Sequence, residues 1–328
     1  MVVIAVDAMG GDLAPRAAVA GAVAALEDSG INKILLTGQA DKIAPILEGL
    51  NFDTAKIQII DAPDIIDNDD SPTAAIREKK DSSLVVGLNL VRDGQAGAFV
   101  SAGSTGAVLT GATLLIGRIK GILRPALATI FPTTNGLCLI IDCGANVDSK
   151  PQYLAQFAQM GSVYMREIYN ISNPKVGLIN IGTEAGKGDA LAKDAYGLLG
   201  SAGVNFAGNI EAREIPFGAV DVAVCDGFVG NVLLKYGEGF AKGLMGMLKD
   251  ELMKSPVSKV GALLSRRAYT NLRKKFDYRE VGGAPFIGLN GLVVKAHGSS
   301  DEIAIKNAIK QCAGFIRADI VKKIQEKI

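Results

Sequence analysis

Apolar residues recur along this chain in short unbroken runs, each closing on a polar residue or a glycine and each followed by a stretch of helical spacing. The run around Val220, Val222 and Val224 is the pattern at its sharpest. It stops at Asp226-Gly227-Phe228-Val229-Gly230-Asn231, after which Val232-Leu233-Leu234 opens a long helical stretch. A buried strand that ends in an acid and two glycines ahead of a helix puts free backbone N–H groups and a positive helix end at the carboxyl edge of a sheet. Open α/β folds bind ligands at that edge, and the ligand that suits these groups is an anion. The same residues also suit a tight connection in which Asp226 only satisfies backbone donors.

The grammar begins at the first residues. Val2 to Val6 is an apolar strand ending in Asp7-Ala8-Met9-Gly10-Gly11-Asp12, and Pro15 stands where an alanine-rich helical pattern through Leu26 begins. A strand at Lys33 to Thr37 with a helix to Leu50, and another strand at Lys56 to Ile60, repeat it. This alternation predicts an α/β fold with a mainly parallel sheet. Asp61 to Asp70 is acidic, contains Pro63 and reads as a surface loop without the spacing of a calcium-binding hand. Ser71-Pro72 opens a helix expected to run to about Leu90, with Arg77, Lys79 and Lys80 on its exposed turns. The strand Gly97 to Val100 ends in Ser101-Ala102-Gly103-Ser104-Thr105-Gly106, ahead of a helix through Ile116. Hydroxyls there, those of Ser104 and Thr105 above all, either cap the helix or cradle an oxyanion.

Arg124-Pro125 interrupts the alternation and marks a change of sublayer. Leu137 to Ile141 ends in Asp142-Cys143-Gly144-Ala145-Asn146, a helix covers Tyr153 to Tyr169, and the strand Lys175 to Asn180 runs into Ile181-Gly182-Thr183-Glu184-Ala185-Gly186-Lys187-Gly188-Asp189. That loop has the ingredients of a nucleotide phosphate loop but not its spacing, and Gly188 stands where the magnesium-binding hydroxyl belongs, so a nucleotide triphosphatase is disfavoured. Lys187 remains a point charge suited to inorganic phosphate. Gly208 to Arg213 adds polar groups with no assigned role. After a break at Ser255-Pro256, Val257, Val260, Leu263, Leu264 and Leu272 recur near helical spacing, and Lys259, Arg266, Arg267, Arg273, Lys274 and Lys275 bring charge with no acid between Lys254 and Phe276. This basic amphipathic segment suits an anionic membrane, an acidic protein or a second subunit, and equally an ordinary surface helix. Gly282 to Gly288 forms a constrained loop before a strand at Leu292 to Ala296. His297-Gly298 follows, and Ser299 with Glu302 reads as a capping box for the last helix.

Composition narrows the field. Across 328 residues, 48% are hydrophobic and 21% charged, glycine occurs 39 times, and the net charge is +1, the profile of a near-neutral globular chain and not of a nucleic-acid binder. Cys138, Cys143, Cys225 and Cys312 lack metal or redox spacing and read as free thiols of a reducing compartment. No leader precedes the first strand and no apolar run approaches the roughly 18 residues of a membrane span, so a cytoplasmic location is expected, with surface attachment to a membrane. With one histidine, His297, the sequence argues against a zinc or multi-histidine metal site, and His297 itself suits a proton donor or phosphate ligand. The dinucleotide fingerprint and the G-x-S-x-G nucleophile elbow are both missing.

Taken jointly, the polar strand ends resemble those of bacterial phosphate acyltransferases, enzymes that convert an acyl carrier protein thioester and phosphate into an acyl phosphate. The resemblance rests on DAMGGD at 7–12, SAGSTGA at 101–107, DCGAN at 142–146, NIGTEAGKG at 180–188, GNIEAR at 208–213, VCDGFVGNVLLKYGEG at 224–239 and GGAPFIGLNGLVVKAHGSS at 282–300, and so spans the chain. Ser104 stands where that family often has asparagine. The resemblance implies a three-layer α/β/α fold related to phosphotransacetylases and isocitrate- or isopropylmalate-type dehydrogenases, one domain over 1–328 with two sublayers around a central cleft, and a homodimer without a cofactor. It implies Lys187 and Asn231 as catalytic residues. Asp7, Gly10, Gly11, Ser104, Thr105, Asn146, Glu184, Asp226, Gly227, Gly230 and His297 are then the substrate- or phosphate-binding candidates, with Leu263, Leu264, Arg266 and Arg267 as the membrane or partner contact. The implied partners are acyl carrier protein, inorganic phosphate, an anionic membrane and a membrane glycerol-phosphate acyltransferase that takes the product. Two other readings stand beside it: a small-acyl phosphotransacetylase using acyl-coenzyme A, and a carrier- or lipid-recognition module whose anion site is regulatory.

Overall fold

The structure, a computed structural model, describes every residue except Ser29 and Phe276, and every side chain except theirs and those of Arg273 and Tyr278. The Phe276 end of the basic segment and the Arg273 charge therefore lie outside the described residues. Eleven strands are described: β1 (Val3–Asp7), β2 (Lys33–Gly38), β3 (Ile57–Asp61), β4 (Ala98–Ser101), β5 (Ala126–Thr133), β6 (Gly136–Ile141), β7 (Lys175–Asn180), β8 (Asn205–Glu211), β9 (Val222–Val224), β10 (Gly283–Ile287) and β11 (Leu292–Ala296). They form one sheet in the order β3-β2-β1-β4-β11-β10-β5-β6-β9-β7-β8.

The sheet consists of two parallel blocks that run in opposite directions. Strands β3, β2, β1, β4 and β11 make one block, and β6, β9, β7 and β8 make the other. Between them β10 and β5 are each antiparallel to both neighbours. Register fixes how the blocks meet. Val293 of β11 faces Phe286 of β10, which faces Leu127 of β5, and one residue further Ala128 faces Ile141, the last residue of β6, itself level with Val224, the last of β9. The two carboxyl edges thus come within a few residues of one level on either side of β10 and β5, and the face of those two strands lies between them.

Side chains alternate across the sheet as strand geometry requires. Ile4, Val6, Ile34, Leu36, Leu139 and Ile141 pack in one core with the helices Arg16–Ala25, Pro151–Tyr169 and Glu302–Ala318. Ala5, Leu35, Phe99, Cys138, Ile140 and Val293 pack in another with Ser83–Arg92 and Thr105–Gly111. Two packed faces on one sheet make the three-layer α/β/α architecture, so strands buried on both sides read as continuous apolar runs. All four cysteines are buried free thiols, with burial pushing Cys138 up to about 12.

Several local expectations change. Three strands lie where the sequence pattern predicts none: β5, whose run is interrupted by Thr129 and Pro132, β8, which is half polar, and β10, which contains a glycine and a proline. The helix expected from Pro72 to Leu90 is two helices, Pro72–Glu78 and Ser83–Arg92. Lys79 ends the first with its backbone outside the helical region and its ammonium on Asp70 at 2.5 Å, while Ser82 caps the second. The helix after β4 is regular only through Gly111 and widens to a π-helical turn over Ala112–Ile116. The last long helix is capped by Asp301, whose carboxylate accepts from the Ile303 and Ala304 N–H groups, and Ser299 bonds His297 instead of forming a capping box. The basic segment is two short helices, Pro256–Leu264 and Arg266–Lys275.

Candidate active site

The strand ends are tied down by two buried carboxylates. Asp142, at the end of β6, accepts through Oδ1 from the N–H groups of Leu127, Gly144 and Ala145 and through Oδ2 from the N–H and Nδ2 of Asn146, all within 2.6–3.2 Å. Asn146 passes this on: its Nδ2 also donates to Pro125 O, and its own carbonyl accepts from Gly227 N–H. Asp7, at the end of β1, accepts from the N–H groups of Met9 and Gly10 through Oδ1 and from Ser101 Oγ at 2.7 Å through Oδ2. Burial pushes both carboxyls above the ordinary carboxylate range, against the pull of these donors.

Glycine is required where these turns touch. A Cβ on Gly230 would lie 1.9 Å from Asp142 O, and one on Gly227 would lie 2.7 Å from Asn146 O. The helix Gly227–Leu252 therefore starts hard against the β6 loop. Asp226 is its N-cap, accepting from the Phe228 and Val229 N–H groups at 2.9 and 3.0 Å. With the helix start fixed, Asn231, Leu234, Lys235, Glu238 and Ala241 share one face by their three- and four-residue spacing, and all five line a cavity of about 360 Å³.

This cavity lies over β5, between the two carboxyl edges. Thr105, Lys295 and His297 come to it from the first block's edge, Cys143 and Gly144 from the second's, and Leu127, Thr129 and Phe131 on one face of β5 give it a largely apolar floor. Lys235 Nζ lies 3.1 Å from His297 Nε2 and 3.3 Å from Glu238 Oε2, and His297 Nδ1 lies 2.8 Å from Ser299 Oγ. The Ser299 N–H also donates to Nδ1, at 3.2 Å, so donors face both ring nitrogens. Burial, with Lys235 beside it, lowers the His297 pKa and favours a neutral ring. Cys143 is not a nucleophile in waiting, because burial pushes its thiol well above the ordinary range.

Of the sequence candidates, the structure brings Thr105, Asn231 and His297 together in the cavity wall. Asp7, Gly10, Gly11 and Ser104 stand at the adjoining strand ends without lining it. Asn146, Asp226, Gly227 and Gly230 hold backbone. Lys187 and Glu184 sit on the exposed loop after β7, outside the wall, where Lys187 N–H closes a turn on Glu184 O. Leu263 and Leu264 are 69% and 82% exposed on the basic helices, next to Arg266 and Arg267. Sequence reasoning missed Lys295, Lys235 and Glu238. A lysine inside the apolar run Leu292–Ala296 was the available signal for the first, and helical spacing from Asn231 for the others. Among the described residues no three His, Cys, Asp or Glu side chains group so as to hold a metal ion.

A sequence model of the family described as "Fatty acid synthesis protein" matches residues 2–323. Phosphate acyltransferase from Clostridium tetani is 50% identical over 325 residues, covering 99% of this chain and 97% of that protein. The chain belongs to the phosphate acyltransferase family. A second relative so named, from Clostridium acetobutylicum, is 50% identical over 326 residues, 99% of this chain and 98% of its own length. The family makes this protein an acyltransferase enzyme. Among solved structures, a phosphotransacetylase from Streptococcus pyogenes superposes with a TM-score of 0.64 at 21% identity, covering 97% of this chain and 94% of its own. A 4-hydroxythreonine-4-phosphate dehydrogenase from Klebsiella pneumoniae does so with 0.53 at 12%, covering 96% and 98%. The phosphotransacetylase relationship expected of the fold is thereby met, and a dehydrogenase shares the fold too.

The close approach of Gly230 to Asp142 gives the acyltransferase a measurable constraint. Gly230→Ala should lower the unfolding free energy by about 2–3 kcal/mol, because neither backbone can retreat without disturbing the Asp142 network. Gly243→Ala, further along the same helix with nothing within 4 Å of its added carbon, should raise it by about 0.5–1 kcal/mol. Urea unfolding of the two variants beside the parent checks both signs.

Proposed function

We propose that this acyltransferase moves a fatty acyl group from acyl carrier protein to inorganic phosphate, giving acyl phosphate for phospholipid synthesis. One observation carries the reading: an apolar floor of strand residues runs directly into a head of polar and cationic groups, Asn231, Lys235, His297 and Lys295. An acyl thioester has an oily chain and a polar carbonyl, and its acceptor is an anion, so a cavity of this two-ended character suits both. Names of the relatives supply phosphate as acceptor. Balance is simple: a phosphate oxygen bonds to the thioester carbon, the C–S bond breaks, and the proton of the phosphate goes to the departing sulfur. Asn231 would donate to the carbonyl oxygen as it becomes an oxyanion, and excluding water on closure around the acyl chain would protect both thioester and product from hydrolysis. Lys187, exposed at the neighbouring strand end, would add positive charge at the open side.

The surface supports partners of matching chemistry. Phe228, Val232, Tyr236, Phe240, Leu244 and Met247 form an exposed apolar stripe along Gly227–Leu252, suited to a second copy of the chain. Val257, Val260, Leu263 and Leu264 with the surrounding lysines and arginines suit an anionic membrane, where an acyl phosphate could pass to a membrane glycerol-phosphate acyltransferase, or an acidic carrier protein. Among the described residues no helix is long and apolar enough to cross a membrane.

Mass spectrometry after mixing the protein with a long-chain carrier thioester and phosphate should find free carrier thiol and acyl phosphate in equal amounts, with acetyl-coenzyme A much poorer. Free fatty acid without acyl phosphate, once product decay is subtracted, rules the transfer out. Lys187→Ala should keep the parent's unfolding midpoint yet lose about tenfold in kcat/KM for phosphate, about 1.4 kcal/mol. On anionic liposomes, Leu263→Ser with Leu264→Ser, and separately Arg266→Glu with Arg267→Glu, should each reduce sedimentation; folded variants that sediment like the parent at matched salt exclude this segment as the membrane contact.

A further inference from the structure

One lysine of the cavity wall is buried. Lys295 lies in the middle of the sheet, 8% exposed, with Leu292, Val293, Val294 and Ala296 around it in the same strand. Register makes it part of a row. Lys295 of β11 is level with Ser101 of β4, and the pairing of Val6 with Val100 puts Asp7 of β1 level with Ser101 on the other side. Strand alternation points all three toward the face that carries Ala5, Phe99 and Val293, the face on which the cavity opens.

The partners of this ammonium are backbone carbonyls, Ala102 O at 3.3 Å and Ala296 O. Among the described residues no carboxylate comes within ion-pair distance of it. Asp7 is the nearest acid in the row, and both its oxygens are already committed, Oδ2 to Ser101 and Oδ1 to two N–H groups. A buried cation held only by neutral carbonyls is costly to desolvate, and a fold keeps one where an anion arrives to share the site.

We propose that Lys295 is the buried cation that holds the phosphate acceptor at the dry end of the cavity. The inference rests on the reading that phosphate is the acceptor, and it divides the work between two lysines: Lys187 faces solvent at the neighbouring strand end, whereas Lys295 meets the anion where water is excluded. Charge at a buried site is screened less than at an exposed one, so the same unit of charge contributes more to holding a dianion there. Lys235 is a poorer candidate, since it is half exposed and already shared between Glu238 and His297.

Burial lowers the Lys295 pKa to about 8, with Asp7 and Asp12 opposing the shift and Lys235 adding to it. The sign follows. The ammonium is present below that value, and phosphate binding through it is lost as pH rises past it. Asp7, Asp12, Lys235 and His297 are the other titratable groups acting on this site, and a variant that keeps the charge without titrating separates their effects from that of Lys295.

The test uses Lys295→Met, which preserves an unbranched apolar stem, and Lys295→Arg, which preserves charge throughout the accessible range. Thermal shift with inorganic phosphate should stabilise the parent and Lys295→Arg but not Lys295→Met. In the transfer assay Lys295→Met should raise the KM for phosphate at least tenfold while leaving the KM for the acyl thioester within twofold. The parent's kcat/KM for phosphate should decline above about pH 8, and that decline should vanish in Lys295→Arg. A folded Lys295→Met that binds phosphate like the parent overturns the proposal, as does a parent whose phosphate dependence is flat from pH 7 to 9.5, a result available even if neither variant folds. A parent that makes no acyl phosphate at all overturns the transfer reading instead, whatever the variants do.

Discussion

The antiparallel pair β10 and β5 is the constraint on which this architecture turns. A wholly parallel sheet has one carboxyl edge and gathers its ligand-binding loops there. Here two parallel blocks point in opposite directions, and without a fixed register between them their loops would lie at opposite ends of the sheet. The pairings of Val293 with Phe286, Phe286 with Leu127, and Ala128 with Ile141 set the offset that brings both edges near one level. A slip of one residue in either pairing would turn Leu127 and Phe286 to the opposite face and carry the floor of the cavity with them. The site is consequently a property of long-range register, more than of any single loop.

That origin explains what was legible. Strand ends with glycine and an acid could be read directly, because burial on both faces leaves an unbroken apolar run and the chain must then turn. Lys175–Asn180 and Leu292–Ala296 are found at the bounds their residues suggest. The central reversal was not legible, since β10 is short and holds Gly283 and Pro285, and β5 alternates too irregularly to announce a strand. Thr105, Asn231 and His297 could be named from loop chemistry. Lys295 could not, because its role depends on being level with Ser101 and Asp7, and no local pattern in the sequence contains that fact.

Much of the polar character at the strand ends is structural. Asn146, Asp226, Gly227 and Gly230 look like ligand-binding residues in a linear reading, yet their contacts are with backbone and with the buried Asp142 carboxylate. The Asp142 carboxylate gives partners to the buried N–H groups of Leu127 and Asn146, and an unmet group of this kind costs about 1–3 kcal/mol. The collective effect of these contacts is to hold the start of Gly227–Leu252 in one position. Since Asn231, Lys235 and Glu238 present themselves to the cavity only if that start is fixed, rigidity in the turn becomes orientation in the wall.

The distribution of charge around the cavity follows from what has to be kept apart. In the transfer proposed, an acyl phosphate would be as open to attack by water as the thioester it came from, so a dry reacting end and a route for the anionic acceptor would both be needed. Solvent-facing lysines can draw in an anion but cannot hold it strongly, because water competes for every donor. A lysine set inside an apolar strand has the opposite character: it is costly to keep charged while empty, and its charge is strongly felt once an anion is beside it. On the proposed reading Lys187 on an open loop and Lys295 in the sheet would divide these demands, the second of them buried in an otherwise apolar strand.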